Sequence, residues 1–485
     1  MPEPAALLDA ALALPFTGTL NGAAAPAAGD FGVENPATGR EIARCPETAP
    51  NLVGGAIEGA REAQARWATT SFEVRRELLL EVADCLEAHA DELAVLITAE
   101  QGKPLSAARA ECSAMARGSL EGFSSMDLSP RILVDDAAQR VEAHARPLGV
   151  VAAIIPWNFP IHTTIQKLAP ALYAGNALIV KPSPYTPLAT LRAMEHLRSV
   201  LPPGLVQTLA GGDALGQALV KASGVDKVSF TGSTPTGRAV MAASAPSLKH
   251  LTLELGGNDA GIVLADADPR EIAPLLVRSA FNNSGQVCHA LKRLYVPSTL
   301  HDALAEELVS AASKLKVGDG FDAETDLGPL ANRAQFDIVC RLVEDARERG
   351  ARVLCGGAPL DRPGTFYPPT LLTDCTESMA LVAEEQFGPA LPLLTYDEVD
   401  EAVARANASE KGLSGSVWTP DIEAGERVAA RLECGTAWIN QHSAQPTANH
   451  VSFPFGGVKA SGIGRERGEE GLREYTQTQV INRRK

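Results

Sequence analysis

Between residues 51 and 101 apolar side chains recur three and four apart: Val53, Ile57, Ala60 and Trp67, then Leu79, Val82, Leu86, Leu93 and Leu96. That period lines them along one stripe of a helix and predicts three amphipathic helices. An apolar stripe needs a surface to cover, and from Gly149 the pattern changes to short apolar or alternating runs at 150–155, 177–180, 206–209, 228–230 and 251–255, separated by helical stretches or turn residues. Strand and helix alternating in this way predict parallel pairing with crossover helices on both faces. Small molecules bind such sheets at the carboxyl ends of the strands. After Gly257 a second series begins, with a helix at 271–281, a strand at 294–296, helices at 302–315 and 332–349, then strand and helix again to 439. It predicts a second α/β domain of similar size.

Two alternating segments, 131–134 and 141–146, flank Asp135-Asp136 and read as a hairpin. The stretch 474–482 is also strand-like and would leave an unpaired edge if it stood alone. Together they suggest a shared sheet for subunit association. Residues 1–28 are rich in Ala and Pro without a clear period, and a flexible start is the simplest reading. No internal repeat is visible.

At 485 residues the chain has room for about three domains. Its eight cysteines form no CxxC and no paired framework, which argues against a disulfide scaffold or a thiolate metal cage and for a reducing compartment. Lys and Arg number 43 against 59 Asp and Glu, a net charge of −16 that speaks against a nucleic-acid partner. No run of eighteen apolar residues offers a membrane span, and residues 1–28 lack the cationic start of a targeting peptide, so a cytoplasmic protein is expected.

Four segments could carry chemistry. Thr231-Gly232-Ser233-Thr234-Pro235-Thr236-Gly237 follows a strand and opens a helix, where backbone N–H groups can receive a phosphate. Arg238-Ala239 stands where a P-loop has Lys followed by Ser or Thr, so a nucleotidase is disfavoured and a plain tight turn fits as well. No GxGxxG occurs; Gly462-Ile463-Gly464-Arg465-Glu466-Arg467-Gly468 is one residue too long. Cys288 follows small and polar residues in what reads as a loop, where a thiol is reachable but needs a lowered pKa or a nearby base to attack at pH 7. The bland alternative is a small buried apolar residue. Glu254 ends the last strand of the first series, a carboxylate at the crevice between the two domains. Asn158 follows the strand 150–155, and its amide can donate to an oxyanion. Each of these two could equally be a turn residue capping a helix.

Taken in order, from Asn35-Pro36-Ala37-Thr38-Gly39 to Phe455-Gly456-Gly457-Val458-Lys459, these segments resemble the NAD(P)-dependent aldehyde dehydrogenase superfamily over essentially the whole chain. The resemblance implies an α/β fold with two Rossmann-like domains of parallel strands and a small β oligomerisation arm. Residues 1–125 and 147–256 would bind the cofactor, 257–455 would carry the nucleophile, and 126–146 with 456–485 would form the arm and tail.

By the same resemblance, Cys288 is the nucleophile, Glu254 the general base and Asn158 an oxyanion donor. Cofactor contacts fall on Pro156, Trp157, Lys181, Gly232, Ser233, Leu255, Glu385 and Phe387. The implied reaction oxidises an aldehyde to an acid through a thiohemiacetal and a thioester, with Glu254 activating the hydrolytic water. Transfer to coenzyme A, and a non-catalytic protein that keeps the fold, are the alternatives. The cofactor expected is NAD. NADP stays open because Pro184 stands where many NAD-preferring relatives have a glutamate.

The implied pocket walls are Met115, Phe159, His162, Gln166, Val287, His289 and Phe455. His162 and Gln166 replace apolar residues, which points to a polar or hydroxylated small-molecule aldehyde, since an apolar substrate would leave them unpaired. No arginine adjoins Cys288 in sequence to announce a substrate carboxylate. No metal, nucleic acid or membrane partner is expected; a homodimer or homotetramer is.

Overall fold

The computed structural model describes residues 3–443 and 451–485. Two sheets organise it. The first has eight strands in the order Ala23–Ala24, Thr19–Leu20, Val206–Thr208, Ala177–Lys181, Val150–Ile154, Lys227–Gly232, His250–Leu255 and Gly462–Ile463. The five strands from Val206–Thr208 to His250–Leu255 run parallel, each apolar enough to be buried on both faces. The three helices predicted before the sheet are Val53–Trp67, Phe72–Ala88 and Ala90–Gln101. With the crossover helices they close one continuous core around it.

The second sheet orders Arg352–Cys355, Thr370–Thr373, Ala390–Tyr396, Leu291–Pro297, Asp259–Val263, Ser414–Trp418 and Thr436–Ile439. All its pairs are parallel except that of Arg352–Cys355. Separate apolar clusters cover its two faces. Helix Pro269–Phe281, one of those covers, starts where a cap is expected: Asp268 accepts from Arg270 N at 2.9 Å, and proline fills the first turn.

The predicted hairpin is Arg131–Asp135 with Gln139–Pro147, and the tail strand Thr476–Arg484 pairs antiparallel along the other edge of Gln139–Pro147. This three-stranded arm exposes Ile132, Leu133, Val134, Val480 and Ile481. The residues just before the tail do a different job. Gly462–Ile463 pairs antiparallel with Leu253 and Glu254, while Val458–Lys459 pairs with Lys411–Gly412 near the second sheet. Ser461 joins the two: its carbonyl accepts from Leu255 N at 2.9 Å, its hydroxyl donates to Gly256 O at 2.8 Å and accepts from Gly412 N at 3.0 Å.

One expectation is corrected. The start of the chain is ordered rather than flexible: Pro4–Ala13 is a helix, and Thr19 pairs antiparallel with Thr208. The cause lies far along the chain, where the buried Arg192 donates to the carbonyls of Ala11 and Leu14, each at 3.1 Å, satisfying the end of the helix. Among the described residues no helix is long and apolar enough to cross a membrane.

Candidate active site

Four neighbouring parallel strands of the first sheet end at the same edge: Lys181, Gly232 and Leu255 are the last residues of three of them, Glu254 precedes Leu255, and Pro156, Trp157 and Ser233 lie in the turns that follow. That edge is where parallel topology opens a crevice. Ser233 caps helix Thr234–Ser244, its hydroxyl accepting from Thr236 N at 3.4 Å. Lys181 is buried, and its ammonium donates to Pro182 O at 3.3 Å. Burial lowers its pKa to about 8, against the opposing pull of Asp213, Cys45 and Glu47.

The second domain supplies the thiol. Helix Pro269–Phe281 ends in a sharp reversal in which Asn283, Ser284 and Gly285 all have positive φ, of 51°, 55° and 74°. A Cβ at Gly285 would collide with the Gly388 carbonyl, so only glycine allows the approach. Gln286 locks the turn, donating to Asn283 O at 2.9 Å and accepting from Ala331 N at 2.8 Å. The strained loop holds Cys288 half-buried. Burial, followed by the negative charge of Glu254, keeps its thiol well above the ordinary range. His289 Nδ1 lies 3.2 Å from Sγ.

Asn158 comes from the first domain and meets this loop. Its Nδ2 donates to Gln286 O at 2.9 Å, leaving the second amide hydrogen for another acceptor. Lys103 holds the Asn158 carbonyl at 2.9 Å and is itself paired with Glu111 at 2.5 Å, both buried. Glu111 in turn accepts from Ile161 N at 3.0 Å and His162 N at 3.1 Å, fixing the start of helix Pro160–Tyr173.

Glu254 is buried, and its Oε1 has no partner among the described residues. Burial, then the charge of Glu466, raises its pKa to about 8; Lys167, the Cys288 thiol and Arg467 pull the other way. Lys167 is hydrogen-bonded to Glu466, to Thr231 Oγ1 at 2.8 Å and to Ser229 Oγ at 3.1 Å.

Of the remaining sequence candidates, Glu385 accepts from Gly257 N at 3.1 Å and pairs with Lys292 at 3.3 Å, and burial raises its pKa. Phe387 meets Trp157 edge-on at 5.3 Å. Lys292 also ties down the loop, bonding to the Val287 carbonyl at 3.0 Å and to the Cys288 carbonyl. His289 packs on Phe455 with ring centroids 4.9 Å apart, Phe159 faces His162 at 6.5 Å, and Met115 ends the turn Glu111–Met115. With its amide oriented to satisfy its neighbours, Gln166 accepts from His162 Nε2 at 2.9 Å.

Three groups went unrecognised in the sequence: Lys103 with Glu111, Lys167 with Glu466, and Arg467. The last is a buried arginine at this site, although none adjoins Cys288 in sequence. Arg467 is distant from Cys288 along the chain, yet it is buried and acts on both Cys288 and Glu254. Its only sequence signal was the glycine-rich run 462–468, read solely as a phosphate-binding pattern.

A model of the aldehyde dehydrogenase family matches residues 24–481. A betaine aldehyde dehydrogenase of Cereibacter sphaeroides is 39% identical over 450 residues, 92% of each chain. Among solved structures, the NAD+ complex of an aldehyde dehydrogenase from Bacillus cereus superposes with a TM-score of 0.94 at 34% identity, covering 98% of both chains. An NADP-dependent enzyme of E. coli gives 0.93 at 35% identity, covering 96% of this chain and 98% of that one.

Proposed function

This chain belongs to the aldehyde dehydrogenase family and oxidises aldehydes with NAD(P); from that premise we propose that Cys288 is the nucleophile, Asn158 the oxyanion donor and Glu254 the base that activates water. The observation that carries the assignment is the meeting of the three at one interdomain crevice: Asn158 is hydrogen-bonded to the loop two residues before Cys288, and Glu254 acts electrostatically on the thiol.

The Cys288 proton passes to His289 Nδ1 at 3.2 Å, and the thiolate attacks the carbonyl carbon of the aldehyde. The resulting alkoxide accepts from the second Asn158 amide hydrogen and the Cys288 N–H, donors already held in place by the Gln286 loop. The dinucleotide, when bound, supplies the hydride acceptor. A thioester is left on Cys288. Glu254, ionised, takes a proton from water, the resulting hydroxide adds to the thioester carbon, and collapse releases the acid and restores the thiol.

The edge residues suit a dinucleotide. Lys181 is a buried ammonium that spends one of its three donors on Pro182 and has others to offer ribose hydroxyls, and the Ser233 helix presents its amino end to a pyrophosphate. We assign NAD over NADP. Pro184 brings no charge, but Glu47 and Asp213 place negative charge near Lys181, where a 2′-phosphate would be repelled. His162 and Gln166 line a polar wall, favouring a polar aldehyde over an alkyl one; the Cereibacter relative is named for one such substrate. A homodimer or homotetramer is supported by the apolar side chains exposed on the arm, and the eight free thiols suit the reducing cytoplasm.

Mixing enzyme, aldehyde and NAD or NADP side by side and following absorbance of the reduced nucleotide tests the assignment. Turnover that disappears in Cys288→Ala supports it; turnover that survives the substitution refutes it.

A further inference from the structure

Lys292 opens strand Leu291–Pro297 at its second residue and is buried behind the nucleophile loop. Gln386 anchors its backbone, the amide nitrogen donating to Lys292 O at 2.9 Å and to Ala390 O at 3.1 Å. The ammonium commits its three donors to Val287 O at 3.0 Å, to Cys288 O and to Glu385 Oε1 at 3.3 Å. Asp259 is a second carboxylate within reach of its field. A buried cation so fully bonded has its desolvation offset, and its charge is fixed in place.

What those carbonyls are attached to decides what the charge does. Val287 C=O and Cys288 N–H are the two ends of one planar peptide group, conjugated through its C–N bond. Electron density drawn toward the oxygen leaves the hydrogen at the other end more positive. The Val287 carbonyl is drawn upon twice, by Lys292 and by Ala290 N at 3.1 Å. At the other end, no backbone carbonyl among the described residues accepts from Cys288 N. The oxyanion donor is therefore polarised by a charge-assisted bond and still unspent. Such bonds are about twice as strong as neutral ones, and bonds chained through one group strengthen each other. Lys103 makes the contrast: its ammonium also holds a carbonyl, that of Asn158 at 2.9 Å, but the Asn158 side-chain amide is not conjugated with that peptide. Lys103 positions Asn158 without polarising its Nδ2. Lys292 further pulls the Cys288 thiol back down, against burial and then the charges of Glu254, Asp259 and Glu385.

We propose that Lys292 is a positioning residue for the oxidation, acting through the Val287–Cys288 peptide to strengthen the Cys288 N–H as oxyanion donor in both the hydride-transfer and the hydrolytic halves of the reaction. The inference rests on the oxidative reading above and deepens it.

The test uses Lys292→Met, which keeps the stem and removes the charge, and Lys292→Gln, whose neutral N–H can still tether a carbonyl. Hexanal or betaine aldehyde, whichever wild type turns over faster, is mixed with enzyme at saturating NAD, so that any change in nucleotide binding through Glu385 is read separately in KM. Outright loss of an oxyanion donor costs about 10²- to 10³-fold, and weakening one should slow the burst of reduced nucleotide about 10- to 100-fold in Lys292→Met, with steady-state turnover falling beside it. Lys292→Gln should stay within about threefold of Lys292→Met, because the charge rather than the tether is what it lacks. In the Glu254→Gln background, where the thioester accumulates, the infrared carbonyl stretch of an acyl-enzyme labelled with carbon-13 at the carbonyl should move to higher wavenumber when Lys292→Met is added. A wild-type burst rate in Lys292→Met or in Lys292→Gln, an unmoved stretch, or failure of both variants to fold overturns the inference and leaves the oxidative reading standing. No reduced nucleotide from wild type with any aldehyde overturns both.

Discussion

Replacing Glu254 by glutamine removes one proton site and little else, so both its chemical and its thermodynamic consequences can be worked from the structure. The side chain is buried with one oxygen unpartnered, and its pKa stands at about 8 against an ordinary 4.5. Below pH 4.5 folded and unfolded chains both hold the proton. As pH rises from 4.5 to about 8 the unfolded chain releases it while the folded chain retains it, and the native state loses stability throughout that window. At 1.36 kcal/mol per pH decade the loss reaches about 3 kcal/mol at pH 7 and about 5 kcal/mol above pH 8. Glu254→Gln abolishes this dependence. Calorimetry should find the variant melting a few degrees above wild type at pH 9, with the gap nearly closed at pH 5. In the stopped-flow instrument the variant should give one equivalent of reduced nucleotide per site and then stall, with steady-state turnover down about 10²- to 10⁴-fold. Wild-type turnover should climb with pH through about 8 as the base ionises, and that climb should be missing from the residual rate of the variant. Unimpaired multiple turnover by Glu254→Gln, or a wild-type profile that is flat from pH 6 to 9, would refute the assignment.

Asn158→Ala deletes one oxyanion donor and should lower kcat by about 10²- to 10³-fold with Cys288 still open to alkylation; a loss under threefold contradicts the role. His289→Asn removes the imidazole 3.2 Å from Sγ, so alkylation of Cys288 by iodoacetamide at pH 7 should slow and its pH midpoint should rise, whereas an unchanged rate removes His289 from thiol activation. Ile132→Glu combined with Ile481→Glu, which share a face of the arm, charges that apolar face and should shift the mass measured by light scattering to the monomer, and an unchanged mass moves the subunit interface elsewhere.

Periodicity was a good guide wherever an element carries its own alternation or three-four spacing. The helices before the first sheet, its parallel strands, and the hairpin with its tail all lie where alternation or three-four spacing puts them. Pro4–Ala13 was illegible because an Ala-rich helix has no polar stripe to reveal its period, and what orders it is Arg192 receiving its carbonyls. The site divides in the same way. Cys288 and Asn158 stand in recognisable turns, and Glu254 lies at the end of a recognisable strand. Lys103, Lys167 and Arg467 lie within helical stretches or beside glycines, and only the fold reveals that Lys103 holds the Asn158 carbonyl, Lys167 acts on Glu254 and Arg467 acts on both Glu254 and the thiol. A single sequence shows which residues are reactive far better than which distant charges surround them.

The stitch at Ser461 has a consequence for the order in which the protein is made. Strand Gly462–Ile463, which flanks Glu254, and the Glu466 and Arg467 that surround it all come from the last thirty or so residues of the chain. The segment bearing Cys288 is therefore synthesised well before the neighbours that tune it, and turnover begins only once Gly462–Ile463 has paired against Glu254 and brought Glu466 and Arg467 with it.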